Sequence, residues 1–161
     1  MFQNEISVNR FLLGYAEGLL KDIPDERLAE QPVPGVNHPA WIIGHLTYTA
    51  EMSVWLLGGE KVLPEDWAGK YGPDSTLTTL RADYPSKEEL LDLFKTRFET
   101  AIRLTGTVDP AALAAPNPRA HLADRLPTVA DLISFLFTGH LGTHLGQLST
   151  WRRLIGIGRL F

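Results

Sequence analysis

The sequence predicts an all-α protein: a four-helix bundle with a long crossover connection between helices 2 and 3. Four long segments carry apolar residues at the three- and four-residue spacing of one helix face. Proline, glycine or capping residues bound each segment. No stretch combines alternating polarity with β-branched residues, so no strand is predicted. The whole chain, 1–161, is expected to form a single domain of this kind.

The first predicted helix covers about Ser7 to Lys21. Phe11, Tyr15 and Leu19 recur there at helical spacing and form one apolar stripe. Pro24 follows three residues later and blocks continuation, because proline lacks the backbone N–H that an interior helical position must donate. The helix is therefore expected to end before this proline.

The second predicted helix begins in the segment "PVPGVNHPAWIIGHL". Asn37 is a candidate N-cap, and Pro39 fits the first helical turn. The helix is expected to continue to about Leu57, where Gly58 and the glycine after it end the pattern. The next 26 residues, 60–85, are rich in Pro, Gly, Asp and Thr, and they are too many for a tight turn. This segment is the predicted crossover connection.

The third and fourth helices have clear start signals. Ser86 followed three residues later by Glu89 forms a capping box, and this helix is expected to end near Leu104. Thr128, which also has an acid three residues later, begins the fourth helix. That helix is the longest and is expected to continue to about Ile155, ahead of two glycines.

Composition excludes several classes of function. The 15 Lys and Arg against 19 Asp and Glu give a net charge of −4, which does not attract nucleic acid or anionic lipid. Without cysteine there is no disulfide, thiolate metal site or cysteine nucleophile. Residues 132–151 are uncharged but contain too many polar side chains for a membrane span. The N-terminus lacks the features of a signal peptide, so a cytoplasmic protein with no membrane or nucleic-acid partner is expected.

Histidines form the one group of residues whose spacing suggests a metal-binding site. His140 and His144, in "GHLGTHLGQL", lie four residues apart and share a helix face with Cβ atoms roughly 6 Å apart. His45 lies in the middle of the second helix and is expected to face the bundle core. Together the three imidazoles could bind a metal and leave a coordination position open for water or substrate. The spacing fits core histidines hydrogen-bonded to backbone equally well.

Four further residues are candidates for the surroundings of such a site. Gln147 lies one turn after His144, where it could orient a ligand or be a buried core amide. Trp151 could close a pocket floor or belong to the core. Tyr48 lies on the turn after His45, and His38 stands at the helix entrance as a cap or as part of a pocket rim.

Other metal scaffolds are excluded by the sequence. HExxH is absent, and no glutamate precedes a histidine by three residues, which rules out zincins and carboxylate-rich di-iron bundles. A mononuclear, nitrogen-rich site remains. Imidazole suits Zn, Ni, Cu and Fe(II), so the residues do not select the metal.

Three glycines of the fourth helix, Gly139, Gly142 and Gly146, fall on the side opposite the histidines. Together they cost about 2 to 3 kcal/mol of helix propensity relative to alanine. We expect a close approach by a neighbouring helix or by a second subunit to offset this cost, and therefore expect a homodimer.

Two segments, "NHPAWIIGHL" and "HLGTHLGQLSTWRRLIG", together resemble the second- and fourth-helix patterns of the DinB-like family of four-helix proteins, also called the DinB/YfiT-like metalloenzyme superfamily. The resemblance implies that His45, His140 and His144 bind a divalent metal, often zinc or nickel. It also implies dimerisation and, in some branches, transferases or isomerases that use a low-molecular-weight thiol such as bacillithiol, mycothiol or glutathione. Many members carry a basic residue after the second of the fourth-helix histidines. Leu145 replaces it here and is expected to make the outer site more apolar.

The leading hypothesis is a metal-dependent transferase that activates a small-molecule thiol for attack on a small electrophilic substrate. One alternative is a non-catalytic small-molecule binding or stress-response module that keeps the same pocket. A third is a metal-activated hydrolase, although the spacing places no carboxylate base beside the three histidines.

Overall fold

A computed structural model describes residues 1–160, and it is helical throughout. In chain order the helices are α1 (Gln3–Leu20), α2 (Pro39–Leu56), α3 (Trp67–Tyr71), α4 (Lys87–Leu104), α5 (Pro110–Ala114), α6 (Ala120–Ala123), α7 (Val129–Phe135) and α8 (Leu141–Leu154). A π-helical turn, Leu136–His140, joins α7 directly to α8. Short 3-10 turns lie at Asp25–Arg27 and Arg81–Asp83. The described residues form no strand, only one isolated bridge between Pro116 and Thr128. The predicted all-α class is confirmed.

The four long segments are α1, α2, α4 and the continuous segment from α7 to α8. Helix α2 lies in the middle because it contacts α3, α4 and α8, and most of its side chains are therefore buried. Helix α1 packs against α8 and the π-helical turn. Three aromatic rings pack edge-to-face in series. The ring centroids of Phe94 and Phe98 on α4 are 5.2 Å apart, and those of Phe98 and Phe137 of the π-helical turn are 6.2 Å apart. This aromatic series lies in the core of the bundle.

Of the four predicted helix starts, two are confirmed and one is wrong by a residue; α1 begins at Gln3, four residues before the predicted start. Ser86 and Glu89 form the predicted capping box of α4, and Thr128 begins α7 in the same way. Asn37 does not cap α2. The cap is His38, whose ring Nδ1 accepts a hydrogen bond from the Trp41 backbone N–H at 3.2 Å. Sequence reasoning favoured asparagine because its short side chain caps more often, but the Ala40 N–H that Asn37 would have capped donates to the Leu28 carbonyl at 3.0 Å.

The π-helical turn was not predicted. The fourth helix reads as one regular pattern, but it carries a wider turn over Leu136–His140 that ends at one of the candidate ligands. Asn9, fully buried on α1, donates a hydrogen bond from Nδ2 to the Phe137 carbonyl within this turn at 2.9 Å. A π-helical turn disturbs the regular helical bonding and is frequent at functional sites. A side chain more than 120 residues away therefore supports the local geometry of His140.

The three glycines of the fourth helix do not contact another helix as predicted. A methyl group at Gly142 or Gly146 would meet no atom within 4 Å, and one at Gly139 would meet only the ring of Phe135, which lies on the same segment. The expectation of close approach by a neighbouring helix of this chain is therefore wrong. The homodimer stays a prediction, since no second chain is present. None of the described helices is long and apolar enough to cross a membrane.

Candidate metal centre

Three histidines meet where α2 faces the fourth helix. His45, His140 and His144 each offer a ring nitrogen, and these three atoms all lie within 4.8 Å of one another. The Nε2 atoms of His45 and His140 are 3.3 Å apart. The ring centroid of His144 lies 4.6 Å from those of both other histidines. The structure thus brings together the three residues that the sequence singled out.

His45 is held in a defined orientation from two sides. Its ring stacks on the indole of Trp41, one turn earlier on α2, with centroids 4.8 Å apart and planes 8° from parallel. Its Nδ1 lies 2.7 Å from the backbone carbonyl of Tyr71 at the end of α3. A carbonyl only accepts, so Nδ1 carries the hydrogen. The Nε2 lone pair of neutral His45 is then directed toward the other two histidines.

Gly44 allows α3 to reach His45. A methyl group at Gly44 would lie 2.0 Å from the ring of Tyr71, so this ring occupies the space of a missing side chain. The indole Nε1 of Trp67 also donates to the Gly44 carbonyl at 3.1 Å. Both contacts seat α3 on α2, and this seating places the Tyr71 carbonyl beside the histidine ring.

His144 is oriented by a short polar chain. Its Nδ1 lies 3.1 Å from Oε1 of Gln147, and the same oxygen accepts a hydrogen bond from Nδ2 of Asn37 at 3.3 Å. Because this oxygen is an acceptor, His144 donates from Nδ1 and keeps the lone pair on Nε2. Hydrogen bonds from ring N–H groups of this kind orient the ligand histidines of metal sites.

His140 is the least satisfied of the three. Its Nδ1 is buried and has no hydrogen-bond partner among the described residues, while its Nε2 faces His45. Phe135 packs its ring edge-to-face against the imidazole at 5.7 Å between centroids. A core histidine that served packing alone would be expected to have its buried nitrogens paired. The converging ring nitrogens fit a divalent cation, and the residues able to hold it are His45, His140 and His144.

Burial keeps these imidazoles neutral. It lowers the pKa of His140 to about 3, with the neighbouring imidazoles contributing in the same direction. Burial lowers the pKa of His144 to about 4 and also lowers the pKa of His45. Metal binding requires deprotonated ring nitrogens. The site is therefore in its ligating protonation state well below neutral pH.

Two adjoining cavities of about 680 Å³ each lie against α2, and none of the three clustered histidines lines either of them. Tyr48, Ala68, Pro118 and Arg119 line both. Tyr48 is three residues after His45 on α2, so its ring lies on the neighbouring turn. Ser75, in the wall of the first cavity, accepts a hydrogen bond at 2.9 Å from the indole of Trp41, which stacks on His45. A pocket of this size accommodates a small organic molecule.

A family model described as the DinB superfamily matches residues 12–148 of the chain. The chain belongs to the DinB superfamily. The match includes both segments that carry the resemblance up to Leu148, and with it all three histidines of the cluster. No curated protein and no solved structure matches the chain.

The other four residues singled out in this DinB-superfamily protein divide into two pairs. Gln147 bonds His144, and Tyr48 lines both cavities. His38 is fully buried; besides capping α2, it bonds the Thr78 carbonyl through Nε2 at 2.8 Å. Trp151 is also fully buried and donates to the Glu30 carbonyl at 2.7 Å. His38 and Trp151 thus hold loops onto the helices, and neither lines the two cavities.

One sequence expectation about the site is wrong. Leu145 does not make the outer site more apolar, because its side chain is fully buried in the hydrophobic core. It follows His144 directly, and a single residue step of about 100° turns it away from the face that carries the histidines.

The structure also places residues at the cavities that the sequence did not reveal. Arg119 and His121 lie in the connection between α5 and α7 and line the cavity walls. The charge of Arg119 contributes to the lowered pKa of His45 and of His140, which puts it within electrostatic reach of the cluster. No periodic pattern marks a loop residue of this kind, so no sequence signal was there to find it.

Proposed function

We propose that this DinB-superfamily protein binds one divalent cation, zinc or nickel, and transfers a low-molecular-weight thiol to a small electrophile. The observation that carries the proposal is the three-imidazole cluster, together with two cavities of small-molecule size that share Tyr48, one helical turn from His45. Structural metal sites usually have four protein ligands, whereas three leave a position for an exogenous ligand. The nitrogen-only donor set favours zinc or nickel over magnesium or calcium, which prefer oxygen.

The protein's own residues prepare the site. Tyr71 and Gln147 accept hydrogen bonds from the Nδ1 atoms of His45 and His144, so both rings offer Nε2 without rearrangement. Burial keeps the rings neutral, so no proton has to be displaced from them near pH 7. A bound divalent cation would supply positive charge that favours the thiolate over the thiol.

The proposed reaction is a nucleophilic substitution or addition at carbon in the adjoining cavities. The thiol loses its proton to solvent, and the thiolate sulfur uses a lone pair to form a bond to the electrophilic carbon. In a substitution, the bond from that carbon to the leaving group breaks and its electron pair departs with the leaving group. In an addition, the π bond at that carbon breaks instead, and its electron pair takes up a proton from solvent. The chain has no cysteine, so the thiol must be a separate molecule.

The hydrolase alternative needs a general base near the cation. No carboxylate of the described residues joins the three-histidine group. Glu51, on α2 two turns from His45, is already engaged: it accepts from the Leu63 backbone N–H at 2.8 Å and pairs with Arg97 at 3.3 Å. These bonds fix the segment between α2 and α3 onto α2, and they occupy the Glu51 carboxylate. Thiol transfer needs no such base, because the thiolate is itself the nucleophile.

The test is elemental analysis of tag-free protein followed by turnover measurements with a panel of thiols and electrophiles. His144→Ala removes one ligand. His121→Ala is the matched control for metal content only, because it removes an exposed histidine that is outside the cluster but lines the first cavity. We expect about one metal per chain in the wild type and in His121→Ala, and loss of both metal and turnover in His144→Ala. Circular dichroism should show unchanged helical content in both variants.

Three outcomes decide between the alternatives. Metal together with thiol-dependent turnover supports the proposal. Metal with turnover of esters or amides in the absence of thiol would favour the hydrolase. No metal after supplementation with zinc and nickel, or metal without any turnover, would instead favour a non-catalytic binding module.

A further inference from the structure

Two cations line the cavities without an ion-pair partner among the described residues: Lys61, which rests on the ring of Trp55, and Arg119, which has no such ring contact. Arg119 is partly buried, and among residues 1–160 no carboxylate lies within ion-pairing distance of its guanidinium. Its backbone N–H donates to Oδ1 of Asn117 at 2.8 Å, which fixes the loop and leaves the side chain uncommitted. An arginine held in a concave wall without an internal partner retains all five N–H donors for a ligand.

Arg119 is also central in position. It lines both cavities, together with Tyr48, and the latter lies one helical turn from His45. A small molecule bound in either cavity therefore lies against Arg119. The planar fork of arginine matches a carboxylate with two parallel hydrogen bonds, which a lysine cannot reproduce.

The other charges at the cavities favour a singly charged ligand. Exposed acids, Asp74 in the first cavity and Glu65 in the second, lie in the same walls. Glu51 is engaged with Arg97, and Lys61 stands over the ring of Trp55 at 4.6 Å. A phosphate dianion would meet these acids with only one uncommitted guanidinium to offset the repulsion. A monoanionic carboxylate would meet less repulsion and match the single fork.

We infer that Arg119 binds the carboxylate of the small-molecule thiol or of its acceptor substrate and orients its reactive end toward the three histidines. The inference rests on the proposed function for the identity of the ligand, and it makes Arg119 a specificity-determining residue. The substrate class it predicts is a small molecule that carries a carboxylate as well as its reactive group.

The probe is a matched pair of thiols, 3-mercaptopropionate and 3-mercaptopropionamide, which differ in charge but hardly in size. Binding to metal-free and to zinc-loaded protein is followed in proton–nitrogen correlation spectra, where the Arg119 Nε–H signal is identified by its loss in Arg119→Lys. We expect the acid to bind wild type about tenfold more tightly than the amide, the order expected of a charge-assisted hydrogen bond.

Variants of Arg119 test whether its side chain causes the preference for the acid over the amide. Arg119→Gln should bind acid and amide equally, and Arg119→Lys should retain only part of the preference because it keeps the charge but loses the fork. Arg125→Gln, an exposed arginine of the same connection, is the matched control and should behave as wild type. Circular dichroism spectra of all variants should coincide with that of the wild type.

The inference is overturned if wild type does not prefer the acid, if neither compound binds at its solubility limit, or if Arg119→Gln keeps the preference. These results are separable from failure of the proposed function. An acid preference in metal-free protein that disappears in Arg119→Gln would support the carboxylate site even if no thiol transfer is found. Thiol transfer that proceeds equally well with acid and amide would support the function and refute the role of Arg119.

Discussion

Gly44→Ala tests whether α3 must rest directly on α2 to orient His45. The added methyl carbon would lie 2.0 Å from the nearest ring carbon of Tyr71. Carbon atoms in contact are about 3.5 Å apart, so the ring has to retreat by about 1.5 Å. The His45–Tyr71 bond starts at 2.7 Å, and a movement of α3 by half that retreat stretches it past the usual hydrogen-bond range.

We expect Gly44→Ala to lower the free energy of unfolding by about 1–3 kcal/mol, the usual cost of overpacking. Zinc affinity should fall as well, because His45 loses the acceptor that fixes its ring. Urea unfolding and zinc titration against a competing chelator measure the two effects. Gly142→Ala is the matched control: its methyl group meets no atom within 4 Å, and it should stabilise the monomer by about 1 kcal/mol through helix propensity. Equal stability and zinc affinity of the two variants would refute the reasoning.

The remaining predictions concern the residues that support the ligand histidines, the pH dependence of stability and the oligomeric state. Gln147→Leu should weaken zinc binding about 10- to 100-fold in chelator competition, whereas Gln147→Glu, which keeps an acceptor oxygen, should lose less. Asn9→Leu removes the donor to the Phe137 carbonyl and should cost about 1–3 kcal/mol in urea unfolding; unchanged stability and zinc affinity would show that the π-helical turn does not need it. In metal-free protein the neutral burial of His140 should lower the free energy of unfolding by about 2 kcal/mol between pH 7 and 5, because the unfolded ring binds a proton near pH 6.5 and the folded ring, with a pKa of about 3, does not. His140→Phe should remove this contribution and leave a shallower dependence from His45 and His144, whose pKa values are also lowered. Size-exclusion chromatography with light scattering should give twice 17.9 kDa for the predicted homodimer, and Gly142→Leu should reduce it; a wild-type mass near 17.9 kDa would contradict the dimer.

The pH dependence has a defined sign. A histidine that folding buries in neutral form stabilises the protein above its unfolded pKa, and this contribution is lost as the pH falls below it. A bound cation acts in the same direction, since protons compete with it for the ring nitrogens. Because the folded rings are already neutral, zinc-loaded and metal-free protein should lose stability in parallel just below pH 6.5. The zinc-loaded protein should fall more steeply only as the pH approaches the folded pKa of His144, about 4, which the same unfolding measurements would reveal.

Local sequence patterns were sufficient to predict the long helices. The capping box at Ser86 and the glycines after α2 and α8 act within one turn of the backbone, so adjacent residues contain all the information. The i, i+4 spacing of His140 and His144 likewise predicts that both rings share one helix face. The choice of Asn37 over His38 as cap failed because of tertiary contacts: the Ala40 N–H bonds the Leu28 carbonyl, and the Asn37 side chain bonds Gln147.

By itself the sequence determined the all-α class, the four long helices and the histidines from which a metal centre is built, because helix periodicity, caps and the spacing of ligands are short-range properties. Only the tertiary structure decided what surrounds those histidines. The Tyr71 carbonyl, the Asn9 bond to the π-helical turn and the uncommitted guanidinium of Arg119 all come from segments distant in sequence. Such contacts depend on how loops and helices pack in three dimensions, and no periodic pattern in the chain encodes them.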